Sequence, residues 1–405
     1  KSLTPSVMKI ARHQAMINNG TMITSIDEEG GLIEHSYDRY ARVRYSEKTI
    51  GQSSAIFGWG SEDVDFLKQF YSKHSTKIHK TGSPRVDLWK SVFSDYWGAP
   101  KGVPKKPFML VVSNMSYANY EMPFHDIVSS NRKGGHFDRD PKLFLNNFRV
   151  AAEDYRKTAA FIEAIQHLSE HNNGYDIVFR PHPNENIESW KVFLEGIPNV
   201  HVIREGSITA WVNNAFSIMH NSCTTAFEAI VSEKPLVTYI PFEQEHGYEM
   251  PNGLGYRVES KEELLSKVNA LFDAKKLGDQ KNLNKPLPEQ VSKKIYLDKD
   301  ELAAEKIIKV WESLASDNNM CSKSSNWILF KWLLKFMKLN GMIGRVLRGL
   351  SKGKVEAEKG NFKFPSLDRH DICERVNRLK NVLGIDEKIE CKLLSERTIL
   401  IKRCR

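Results

Sequence analysis

Three short stretches carry residue types suited to chemistry. The first is Arg180-Pro-His-Pro-Asn-Glu185, which follows the apolar run 177–179. Each proline fixes its own φ and drives the residue before it towards extended backbone, so Pro181 and Pro183 hold His182 on a stiff hook past a strand end. An imidazole there can donate to a phosphate oxygen or protonate a leaving phosphate, because its pKa lies near neutrality. Arg180 adds a planar fork of donors matched to phosphate, and Asn184 extends the same polar edge. The plainer alternative is a proline turn with an exposed histidine and a surface arginine. The strand before it and the polar junction after it weigh against that alternative.

The second stretch, Asn221-Ser-Cys-Thr-Thr-Ala-Phe-Glu228, follows the apolar run 216–219. Ser222, Thr224 and Thr225 stand where a helical pattern begins. Ser and Thr are preferred N-caps, and Thr225 with Glu228 three residues on fits a capping box. The same hydroxyls and the unpaired N–H groups of a helix start also make an anion site. Glu228 could instead reach a ribose hydroxyl. The third stretch is Asp27-Glu28-Glu29-Gly30-Gly31, which closes the strand TMITSI. Crowded carboxylates raise one another's pKa, which fits one of them to act as a base or nucleophile, and the glycines let backbone or ligand approach. A solvated acidic turn is the alternative, and composition alone favours it.

The elements that must position these residues read as a β-α alternation. In the first part, TMITSI, SSAIFGWG and KIHKTG are strands, and helical patterns follow the latter two. Residues 97–107 (WGAPKGVPKKP) form a Pro, Gly and Lys linker. The strand PFMLVVSNMS then opens a second part and closes on Ser113 and Asn114, a further candidate ligand edge. Residues 117–141 read as a long polar loop, and 142–172 as a long helix. About five β-α repeats follow from the linker onwards. A helix begins at Glu185 in this reading. The expected organisation is 1–96, an incomplete first α/β domain; 97–107, linker; 108–315, a complete second one; 316–355, a basic segment; and 356–405, a small appendage. Only three strands precede the linker and the chain opens on Lys1, so an upstream portion is expected.

Composition narrows the class. The chain has 405 residues, 40% hydrophobic and 27% charged, with a net charge of +9, which is ordinary for a soluble protein and long enough for two substantial domains plus an appendage. Five scattered cysteines without CxxC spacing argue against a disulfide framework or zinc site. No apolar run is long enough to span a bilayer. Residues 318–355 contain no Asp or Glu and interleave lysines and arginines with Trp327, Trp332 and other large apolar side chains. Such a segment suits an anionic membrane interface, or packing on the rest of the chain with its lysines snorkelling. Basic residues in an amphipathic run, without stacking aromatics on a sheet, argue against nucleic acid.

Taken together, Glu28-Glu29-Gly30, His182-Pro183 and the Ser222–Thr225 helix start resemble the motif set of bacterial surface-carbohydrate glycosyltransferases. These are the Kdo transferases of capsule and lipopolysaccharide assembly and, more distantly, bacterial sialyltransferases. The phrases GSPRVDLW (82–89) and VVSNMSYAN (111–119) are also similar, and the resemblance spans roughly residues 15–315. It implies a GT-B fold of two Rossmann-like domains facing a cleft, with a CMP-activated sugar as co-substrate, no cofactor and no metal. It implies Glu28, or Asp27, as the carboxylate that activates the acceptor or attacks, and His182 as the group that receives the departing phosphate. Ser222, Thr224 and Thr225 then hold the phosphate and Glu228 the ribose, with Arg180, Asn184, Ser113 and Asn114 at the nucleotide edge. The partners implied are a nucleotide-sugar donor, a lipid-linked or oligosaccharide acceptor and an anionic membrane surface, at the cytoplasmic face of a bacterial plasma membrane. Two competing readings are a CDP-glycerol-type glycerophosphotransferase and a degenerate transferase serving as a scaffold.

Overall fold

The computed structural model describes residues 6, 9–28, 37–139, 141–278, 288–317, 367–395 and 398–404. The chain divides into two units, Lys1–Ile308 and Lys309–Arg405. The larger unit holds two parallel sheets, each opening one α/β lobe. In the first lobe the order is α1 (Ile10–Asn18), β1 (Thr24–Ile26), α2 (Tyr37–Arg44), α3 (Glu47–Gln52), β2 (Ala55–Gly58), α4 (Ser61–Phe70), β3 (Ile78–Lys80), α5 (Pro84–Asp87) and α6 (Ser94–Trp97). The strands pair in parallel in the order β1-β2-β3. Every residue of β2 is buried, as its unbroken apolar run requires of a strand covered on both faces. At its end Asp63 accepts backbone N–H bonds from Trp59, Gly60 and Val64 at 2.9–3.0 Å and so fixes the turn into α4.

The second lobe runs β4 (Phe108–Val112), α7 (Phe124–Lys133), α8 (His136–Arg139), α9 (Lys142–His171), β5 (Asp176–Arg180), α10 (Ile187–Phe193), β6 (Val200–Val202), α11 (Ile208–Asn214), β7 (Ser217–His220), α12 (Thr225–Val231), β8 (Leu236–Tyr239), α13 (Glu249–Asn252), β9 (Tyr256–Val258) and α14 (Lys261–Lys276). Its six strands are all parallel, in the order β6-β5-β4-β7-β8-β9. Counted from the lobe's own first strand this is 3-2-1-4-5-6, the doubly wound nucleotide-binding arrangement. The two lobes are therefore both Rossmann-like, which is the GT-B-like plan. Helices α9, α10 and α14 close the core, with Phe161, Ile165, Trp190 and Leu264 fully buried against Met109, Val111 and Phe179 of the sheet.

Several boundaries differ from the sequence reading. The sheet has a sixth strand, β9, too short and polar in sequence to register as one. Residues 117–141 are not a plain loop: α7 and α8 form there, seeded by Pro123 at the α7 N-cap and by Phe124, Ile127 and Val128 on one face. One turn of apolar spacing among polar residues gave too little periodicity to read. The helix expected at Glu185 begins at Ile187 instead. Asn186 is its N-cap and accepts from the backbone N–H groups of Glu188 and Ser189.

After α14, α15 (Glu289–Lys294) and the segment into α16 (Ala303–Asp317) return to the first lobe. Tyr296 N donates to Trp59 O at 2.7 Å and Ala303 N to Asp87 Oδ2 at 2.6 Å. The smaller unit holds α17 (Arg369–Leu383) and an antiparallel hairpin of β10 (Ile389–Ser395) and β11 (Thr398–Arg403). Residues 318–355, the basic stretch, and the acidic-turn residues Glu29, Gly30 and Gly31 lie outside the described residues. Among the described residues no helix is long and apolar enough to cross a membrane.

Candidate functional site

The order of the second sheet reverses at β4, which is flanked by β5 and β7. Val111 of β4 pairs with both Phe179 and Met219, so the three strands end level. The carboxyl ends at such a reversal form the ligand crevice of open α/β sheets. Three sequence-predicted edges meet here: Ser113–Asn114 after β4, Arg180–Asn184 after β5, and Ser222–Thr225 after β7.

The hook is fixed by a carboxylate that the sequence reading had treated only as a helix start. Glu185 is fully buried and accepts from Ser113 Oγ at 2.6 Å, from Met115 N at 2.7 Å and from the Trp190 indole at 2.7 Å. Burial pushes its carboxyl above the usual range, against the pull of those three bonds. Ser113 Oγ also accepts from His182 N at 3.1 Å. Ser113 is thus a tie between β4 and the hook, with its proton already donated. His182 is half-buried; its Nδ1 accepts from Asn184 N at 3.2 Å, with Ser116 Oγ at 3.4 Å. An acceptor Nδ1 puts the proton of the neutral ring on Nε2. Asn184 is exposed beside it. Arg180 does not stand as an open fork: its Nη1 and Nη2 donate to the carbonyls of Glu205 and Gly206. Burial brings its guanidinium down to about 10, opposed by Glu205 and Glu228.

The β7 junction also departs from expectation. Ser222 adopts φ 54°, the left-handed region that side chains rarely enter. Its Oγ donates to Asn221 Oδ1 at 3.1 Å and accepts from Tyr248 N at 3.0 Å and Asn252 Nδ2 at 2.9 Å. One proton and two lone pairs exhaust a hydroxyl. Its N–H donates to Asn252 Oδ1 at 2.6 Å, and its carbonyl accepts from Asn114 Nδ2. Ser222 and Asn114 therefore knit the strand ends together, with no hydroxyl capacity left on Ser222 for a phosphate. Thr225 is buried, and Cys223 Sγ donates to its Oγ1 at 3.3 Å. Thr224 is exposed at the N-cap of α12 and makes no side-chain cap bond. The expected capping box is absent, because the helix starts one residue earlier than that box needs and Glu228 turns inward instead. It accepts from Thr209 Oγ1 at 2.9 Å and lies 3.7 Å from Arg85 of the first lobe. Burial raises the Glu228 carboxyl; Arg85, Thr209 and Arg180 pull it back.

In the first lobe, Asp27 and Glu28 part company. Asp27 is buried and both its oxygens are held by Arg44, Nε at 2.8 Å from Oδ2, while Trp59 Nε1 donates to its carbonyl at 2.6 Å. That pairing makes Asp27 a brace. Glu28, one residue on, is exposed. Arg85 Nη1 donates to the Glu28 carbonyl at 3.4 Å, so one guanidinium spans the acidic turn of the first lobe and Glu228 of the second. Arg85 follows Pro84 at the start of α5, just past β3. It stands at a strand-to-helix junction of the same kind as the two the sequence reading singled out, and that position was the available signal. Ser232 Oγ to Trp89 O at 2.8 Å and Asn214 Nδ2 to Gly98 O at 3.1 Å are further ties between the lobes. Among the described residues no group of three or more His, Cys, Asp or Glu is placed to hold a metal ion.

No family model matches the chain, and no curated protein matches it. Among solved structures it is similar to the UDP-GlcNAc 2-epimerase of Methanocaldococcus jannaschii, at 16% identity over 76% of this chain and 75% of that one, with a TM-score of 0.45. A further UDP-N-acetylglucosamine 2-epimerase matches at 13% identity over 80% of this chain and 73% of that one, TM-score 0.43. The wall teichoic acid polymerase TagF matches at 10% identity over 67% of this chain and 59% of that one, TM-score 0.39.

Proposed function

We propose that the chain transfers a sugar from a CMP-activated donor, Kdo or a related acid sugar, to a bacterial surface-glycan acceptor. The observation that carries this reading is the convergence of the His182 hook, the β4 edge and the start of α12 at the reversal of the second sheet. Arg85 links that edge to the acidic turn of the other lobe. In this reading the Glu28 carboxylate takes the proton of an acceptor hydroxyl as its oxygen bonds the anomeric carbon. The bond from that carbon to the phosphate oxygen breaks, and His182 Nε2–H donates to the CMP phosphate as it leaves. Thr224 and Asn184 meet the phosphate, and Glu228 the ribose. The charge of Arg85 and the Nε2–H dipole of His182 serve where other transferases use a cation.

The test is nucleotide release by the full chain with CMP-Kdo, CMP-sialic acid, CDP-glycerol and UDP-GlcNAc, each with candidate acceptors. Turnover of a CMP-sugar is expected, reduced about a hundredfold by His182→Ala and by Glu28→Gln, as for loss of a general acid or base. Turnover of CDP-glycerol alone would replace sugar transfer with glycerophosphate transfer. No turnover and no rise in melting temperature with any nucleotide would leave only the scaffold reading.

A further inference from the structure

Helix α9 presents an unusual outer face over its first half. Leu145, Phe148, Ala152 and Tyr155 follow at 3-4-3 spacing, one stripe of a helix. Leu145 is 61% exposed, Phe148 45% and Tyr155 58%. Beside that stripe runs a second, Lys142, Arg149 and Arg156, repeating every seven residues and exposed. The acids of residues 142–159 are Glu153 and Asp154, and both point inward. Glu153 Oε2 accepts from Glu245 N at 2.9 Å and His246 N at 3.2 Å, and Asp154 Oδ2 from Tyr117 N at 3.1 Å. Over residues 142–159 both carboxylates thus fasten the segments after β4 and β8, and the exposed positions are apolar or positively charged; Glu163 and Glu170 are exposed only further along the helix. Rings connect the two sides: Tyr117, just past β4, contacts Phe124 at 6.3 Å, and Phe124 contacts Phe148 at 5.2 Å.

We infer that the outer face of α9, with the exposed Met122 at the foot of α7, docks on an anionic lipid bilayer. Leucine, phenylalanine and tyrosine enter the headgroup boundary while the flanking cations meet lipid phosphates. Charge selects this occupant. The chain's own residues 318–355 carry no acid and many lysines, so they repel the basic row. A second copy of α9 brings the same sign of charge. The inference stands on geometry independent of the transfer chemistry proposed above.

The test is flotation of the full chain with phosphatidylcholine vesicles, with and without phosphatidylglycerol. Wild type is expected to float with the anionic vesicles alone. Leu145→Ser/Tyr155→Ser and, separately, Arg149→Glu are expected to cut binding about tenfold or more, with unchanged melting curves because these side chains are exposed. A tail variant, Lys331→Gln/Lys335→Gln/Lys338→Gln, is expected to keep the α9-dependent part. The inference fails if the α9 variants float like wild type, if wild type ignores anionic vesicles or binds neutral ones equally, or if binding is lost only in the tail variant. It fails too if light scattering shows a dimer that the α9 variants dissociate, for then a second copy covers the face. None of these readouts uses a nucleotide donor, so failure here and failure of the transferase reading are separate results.

Discussion

His182 follows one of the two strands that flank β4 and His220 ends the other, yet their surroundings set opposite roles. His182 is half-buried with Nδ1 held as an acceptor, which suits a hydrogen-bond donor at Nε2. His220 is fully buried beneath the edge: its Nε2 is 2.9 Å from Thr238 Oγ1, which itself donates to Leu254 O, and its Nδ1 has no hydrogen-bond partner among the described residues. Burial drives its pKa down to about 3, so the folded state holds it neutral. The unfolded chain binds that proton below the ordinary value of 6.5, so stability is whole above 6.5 and is lost as pH falls towards 3, by about 1.4 kcal/mol per unit. Asp63 works the other way, since burial lifts its carboxyl to about 6 and its contribution is lost as pH rises through that value. The total slope is therefore uninformative, and the comparison with His220→Gln isolates the histidine. Urea unfolding between pH 6.5 and 4 is expected to show the variant losing less stability per unit than wild type. Equal slopes would mean that His220 is not held neutral. The burial that silences His220 was not legible in sequence, where it is one more polar residue at a strand end.

At the scale of elements, the junction after β7 shows how a strand end can be chemical in composition and structural in use. The sequence pattern located this junction, and its residues do gather at the sheet reversal. It could not show that Ser222 sits at positive φ with every polar group engaged, because those partners, Tyr248 and Asn252, lie about one β-α unit further on. The same holds for Glu185, whose partners come from the turn after β4 and from α10. If Ser222 is a fastening, its backbone and hydroxyl contributions separate by substitution. Ser222→Gly removes the hydroxyl but accepts the left-handed backbone, whereas Ser222→Ala loses both advantages. Alanine is expected to be less stable than glycine here by about 1 kcal/mol. Both variants should be cut faster by protease within residues 241–252, the segment that Ser222 pins. Alanine matching or exceeding glycine in the urea midpoint would show that the positive φ is not retained in solution.

For the molecule as a whole, the alternation of strand and helix was enough to recover an α/β fold of two lobes, because local periodicity and chain order determine that feature. What it could not reveal is that the first lobe is completed from beyond the second. Residues 289–303 return to the turn after β2 and to α5, more than two hundred positions away in sequence, through Tyr296 N on Trp59 O and Ala303 N on Asp87 Oδ2, bonds that leave no local periodicity to read. Gly60 makes the dependence testable. A Cβ built there stands 2.1 Å from the Lys293 carbonyl oxygen and 2.5 Å from that of Lys294, both backbone atoms. These atoms cannot move aside as a flexible side chain would, so Gly60→Ala must displace the returning segment. That displacement strips Trp59 O of its bond from Tyr296 N and uncovers the turn that Asp63 caps. Overpacking of this kind costs about 1–3 kcal/mol. Gly60→Ala is expected to lower the urea midpoint accordingly and to open residues 288–302 to proteolysis. Unchanged protection of 288–302 would mean that the first lobe stands without its returning segment.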